Sequence, residues 1–138
     1  MSEESTTPDL VENVRTILEA ADRADFDAIL AFYAPDAVWI SAELDLVFEG
    51  VEAIRSFWED WYGGYEDLRV GPPDIYDVGN GVVMAVIRQG GRLGGGSAEL
   101  SEDLALIYEW SNGLVVRVTM TRGEGGRSAA ERLAEERG

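Results

Sequence analysis

Few side chains in this sequence could do chemistry, and Arg88, Tyr108 and Glu43 are the candidates for a catalytic set. Arg88 ends an apolar run, Val82 to Ile87, and an arginine that turns inward from such a run must be paired or must face a ligand. A salt bridge to Glu102 or another acid at a rim is the alternative. Tyr108, with Tyr33 and Trp39, can donate hydrogen bonds to a carbonyl, or can serve only as core aromatics. Glu43 belongs to an acidic connector with Asp45 and Glu49. One of these acids, desolvated, would have a raised pKa and act as general acid or base; otherwise the connector is a solvated loop. An arginine or tyrosine polarising an oxygen, with a connector acid moving a proton, is acid–base chemistry without histidine.

The rest of the composition narrows the choice. With no cysteine, disulfides, thiolate metal sites and cysteine nucleophiles are excluded. With no histidine, the commonest general base and the commonest transition-metal ligand are absent too. Glu59-Asp60 and Glu66-Asp67 lack calcium-loop spacing, so no metal and no cofactor is expected. The stretch Gly90 to Ser97 is superficially like a phosphate loop, but Gly96 holds the lysine position and the loop joins two strands. The formal charge is −16, from 27 acidic against 11 basic residues. Such a field repels nucleic acid and anionic membrane surfaces. No apolar run is long enough to span a bilayer, and the start, MSEESTTP, is polar and acidic. A soluble cytoplasmic protein is expected.

These groups need a scaffold, and 138 residues make one domain. The pattern divides into a disordered tip over 1–7, a domain over 8–122, and a flexible segment with a short charged helix over 123–138. Thr7 and Pro8 suit a helix start, with Leu10, Val14, Ile17 and Leu18 at helical spacing. Asp25 caps a second helix striped by Phe26, Ile29, Leu30 and Tyr33, which Pro35 ends. A short strand over 37–41 and the connector precede a third helix with Ile54, Phe57, Trp58 and Trp61. Four strands follow: one interrupted by Gly71-Pro72-Pro73, then 82–89, then 98–110 and 114–121 joined at Asn112-Gly113. This order is α+β with a curved, mixed, mostly antiparallel sheet covered by three N-terminal helices.

The stretches DFDAILAFYAPDAVW, FEGVEAIRSFWEDW, VVMAVIRQGGRLGGGS and NGLVVRV, in this order, resemble the SnoaL-like, ketosteroid-isomerase-like branch of the nuclear transport factor 2-like (cystatin-like) fold. The resemblance spans roughly residues 10 to 121. It implies a cone with an internal pocket between helices and concave sheet, and a homodimer through the convex face. By similarity, Trp39, Ser41, Met84, Val86, Arg88, Leu104, Leu106, Tyr108, Val116, Val118 and Met120 would point inward. Tyr33 and Trp58 would join them in lining the pocket. The known chemistries of the fold do not carry over. The catalytic positions of ketosteroid isomerases fall on Ser41, Ile17 and Leu106. Those of limonene epoxide hydrolase fall on Met120 and near Ile87 and Gln89. Scytalone dehydratase and many cyclases of the family use histidine, which this chain lacks. The implied function is the binding of a small apolar molecule, with isomerase, dehydratase or cyclase chemistry. The alternative is a non-catalytic ligand-binding or assembly module.

Overall fold

The computed structural model describes residues 9–94, 99–122 and 126–138. Helix α1 spans Leu10–Asp22. Its cap is Asp9, whose carboxylate accepts from the Glu12 amide at 3.1 Å, so the start expected at Thr7 and Pro8 shifts inward. Thr7, Pro8 and the rest of the 1–7 tip lie outside the described residues. Helix α2, Phe26–Leu30, is capped by Asp25 as expected. It is one turn shorter than its apolar stripe implies. Tyr33 instead begins β1, Tyr33–Ser41. Pro35 sits where β1 shifts register between Tyr33 and Val38, a stretch with no ladder partner to miss its amide proton.

Strand β2, Leu46–Glu49, pairs antiparallel with β1. Helix α3, Val51–Gly63, follows Gly50. Strands β3, Tyr65–Val70, and β4, Asp74–Gly79, flank the proline pair and both bind β5, Val82–Leu93. Strands β6, Glu99–Ser111, and β7, Leu114–Arg122, form the final hairpin, with Asn112 and Gly113 at φ 53° and 80° in its turn. The sheet order is β2-β1-β7-β6-β5-β3, with β4 beside β5; β1 and β7 are parallel and every other pair is antiparallel.

Paired residues on neighbouring strands share a face, so the ladders determine what the helices cover. Leu104, Leu106 and Tyr108 of β6 pair with Ile87, Ala85 and Val83 of β5. These residues, with Tyr33, Trp39, Val118 and Met120, pack against Val14, Ile17 and Leu18 of α1 and Ile54 and Trp58 of α3. The expected inward facing of Met84, Val86 and Arg88 is therefore corrected: all three lie on the opposite face. Val116 also leaves the expected set, because the β6–β7 ladder shifts register between Glu109 and Trp110 and Val115 takes the buried place.

The opposite face has its own cover. Helix α4, Gly126–Arg137, sets Ala130 and Ala134 on Val82, Met84, Ala105 and Ile107. Small residues let it lie close. The Asn80 side-chain amide donates to the Ala134 carbonyl at 2.6 Å, and Arg137 donates to the Trp110 carbonyl. Beneath it, buried Glu109 accepts two hydrogen bonds from Arg117, and Arg137 stands 3.7 Å away. The charged terminal helix thus takes up nearly all of the described residues after Arg122 and covers part of the convex face on which a dimer was expected.

Candidate functional site

The concave face and α1–α3 enclose a narrow cavity walled by aromatic rings. Phe26, Tyr33, Trp39, Phe57, Trp58, Trp61, Tyr62 and Tyr108 supply the rings. Ile17, Leu18, Ile87, Leu104, Leu106 and Met120 supply aliphatic wall, and Gln89 is the one amide. About 60 Å³ is open to the centre of a water molecule.

Local sequence explains the placement. Trp58 and Trp61 are three apart on α3 and reach the same side of the helix. Trp58 meets Tyr33 and Trp39 edge to face, with centroids 5.7 and 5.5 Å away. Phe57 stacks on Phe48 of β2 at 4.3 Å and closes that side. Tyr62 donates to the Ala21 carbonyl at 2.8 Å and so ties α3 to α1.

Three polar groups of wall residues are themselves covered and have no hydrogen-bond partner among the described residues: the Tyr33 hydroxyl, Trp39 Nε1 and Gln89 Nε2. All three are donors, and each residue is more than nine-tenths buried. An unpartnered buried donor costs about 1–3 kcal/mol, so three in one wall need a reason. No charged side chain lines the cavity among the described residues. Burial holds the Tyr33 phenol well above its ordinary range, and the nearby Tyr108 hydroxyl adds to this. Burial raises Tyr108 likewise, and pushes Tyr62 up to about 12. All three phenols stay protonated at neutral pH; the Tyr62 hydroxyl donates to Ala21, and the Asp22 charge acts on it.

The candidate catalytic residues are not brought together. Tyr108 is in the cavity wall. Arg88 points away from it, largely exposed, and binds Asp103 through two hydrogen bonds of 2.9 and 3.2 Å. Glu43 sits in the turn after β1, where it accepts from the Thr121 hydroxyl at 2.7 Å and the Arg122 amide at 2.9 Å. It clamps the end of β7 and lies outside the cavity wall. Of the expected pocket residues, Tyr33, Trp39, Trp58, Leu104, Leu106 and Met120 line the cavity. Ser41 and Val118 are buried beside it without lining it, Val116 is half-buried, and Met84 and Val86 lie under or beside α4. Gln89 was not among the expected residues. Its signal was a polar residue closing an apolar strand, and Arg88 beside it carried the same signal.

The comparisons with known proteins agree with this architecture. The SnoaL-like domain family matches residues 14–118. A search of curated proteins gave no match. A nuclear transport factor 2-like protein of unknown function from Burkholderia pseudomallei superposes with a TM-score of 0.74 at 18% identity, covering 90% of this chain and 98% of that one. A putative polyketide cyclase from Xanthomonas campestris gives 0.73 at 21% identity, over 87% and 94% of the two chains. A ketosteroid isomerase-like protein from Catenulispora acidiphila, in complex with trimethylamine, gives 0.72 at 16% identity over 92% and 95%. At these identities the superpositions speak for the fold alone. With the family matched over residues 14–118, most of the chain, the chain belongs to the SnoaL-like domain family.

Proposed function

We propose that this protein binds a small, uncharged, largely apolar molecule in the ring-lined cavity, without acid–base catalysis. The observation that carries this reading is the set of unpartnered donors, Tyr33 hydroxyl and Trp39 Nε1 foremost, in a wall with no charge. A carbonyl or ether oxygen of a bound molecule would satisfy them, and the rings would bury its apolar body. Isomerisation, dehydration or cyclisation needs a group to take up a proton. The wall offers phenols held protonated and no carboxylate among the described residues. The free space favours a compact ligand.

Isothermal titration calorimetry with acetophenone tests this. Acetophenone is expected to bind, and Tyr33→Phe and Trp39→Phe each to weaken it about three- to tenfold, the worth of one hydrogen bond. Unchanged affinity in both variants would remove the donors from the site.

A further inference from the structure

The cavity does not end at its rings. Gln89 belongs both to its wall and to a second, open recess walled by Tyr65, Leu100, Ser101, Glu102 and Arg122. The ladders show why the two are continuous. Gln89 pairs with Glu102, and one step inward Ile87 pairs with Leu104, which pairs with Arg122. All of these residues share the concave face, so the recess is that face carried past the helices to the mouth of the cone. Trp39, Val118, Tyr108 and Val83 form a single row across the sheet. Gln89 is six residues along β5 from Val83, roughly 20 Å of extended strand. The unpartnered donors therefore lie at two ends: Trp39 in this deep row and Tyr33 one row further in, beside Val115, with Gln89 at the mouth. In the recess, Arg122 and Glu102 pair at 2.9 Å and cancel each other's charge. Leu100 is exposed beside them.

We propose that cavity and recess form one two-part site for an elongated neutral amphiphile. Its ring or alkyl end lies among the aromatics. An acceptor oxygen, such as an amide carbonyl, takes the Gln89 Nε2 hydrogen bond. A short hydroxylated tail lies against the Glu102–Arg122 pair. This rests on the binding reading above and extends it by a second acceptor and a direction of entry.

Acetophenone reports the cavity, and a tailed probe, acetophenone with a para hexyl chain ended by an N-hydroxyethyl carboxamide to span the distance to Gln89, is compared with its plain para-hexyl parent. Calorimetry is expected to show the tailed probe binding at least tenfold tighter than that parent. Gln89→Leu is expected to abolish that advantage while acetophenone binds as before, which also reports an intact fold. If acetophenone binds and the tailed probe is no tighter than its parent, or if Gln89→Leu keeps the advantage, the two-part site is overturned and the cavity reading stands. If none of the three binds, both are overturned.

Discussion

Tyr33 and Trp39 stand on one strand and close on one ring: both meet Trp58 edge to face, and both carry a buried donor with no partner among the described residues. Phenylalanine at either place would pack without a polar group to satisfy; Trp110 Nε1, buried outside the cavity wall, is unpartnered as well. On the proposed reading, the two donors lower the stability of the ligand-free protein.

The first expectation follows directly. Tyr33→Phe removes a desolvated hydroxyl and leaves the ring. It should stabilise the ligand-free protein by about 1–3 kcal/mol, while weakening acetophenone. Chemical denaturation checks it; a destabilised variant would mean that the hydroxyl is satisfied in solution.

Arg88→Ala should leave ligand binding unchanged. Its guanidinium pairs with Asp103 on the face away from the cavity, in solvent. Calorimetry with acetophenone is the check, and a lost or weakened heat signal would return Arg88 to the site.

The tyrosines set the alkaline limit. Tyr62 is pushed up to about 12 by burial, with the Asp22 charge adding to it. The unfolded chain releases the same proton near 10. The stability this group contributes is fully present below pH 10 and is lost as pH rises through about 12. Tyr33 and Tyr108 shift in the same direction. The unfolding midpoint should fall above pH 10, and Tyr62→Phe should flatten that fall. An unaltered slope in the variant would remove Tyr62 as a cause.

Helix α4 makes a separate expectation. Ending the chain at Arg122 uncovers Val82, Met84, Ala105 and Ile107. Light scattering should show more self-association than in the full chain, because an exposed apolar sheet face seeks a partner. Equal masses would show that this face stays solvated without the helix.

These elements also show what could be read in advance. The β6–β7 hairpin was legible because Asn112 and Gly113 do adopt positive φ and because β6 presents Leu104, Leu106 and Tyr108 to one face. The direction of β5 was not. Its run VVMAVI is apolar on both sides because helices lie on one face and α4 on the other, and a strand covered twice loses its alternation. Pairing with β6 decides the matter, but Gly90 and Gly91 read as loop when they are strand. Glycine is needed there for closeness: a side chain on Gly91 would meet the Leu68 Cα at 3.0 Å. The role of α4 was hidden for a related reason. Its buried side is only Gly126, Ala130 and Ala134, so the helix reads as charged all round. Trp39, Trp58, Leu104, Leu106 and Met120 came from elements where parity or helical spacing held; Tyr33 reached the wall from a strand instead of the expected helix, Val116 left it at the β7 register shift, and Gln89 fell on the strand covered on both faces.

The central claim is that the cavity is selective for neutral molecules bearing an acceptor. Calorimetry at pH 7 with acetophenone, phenylacetate and phenylethylammonium, similar in size and different in charge, tests it most directly. Binding of acetophenone with no measurable heat from either ion is expected, since the wall holds no counter-charge among the described residues. Binding of either ion as tightly as the ketone would contradict the account.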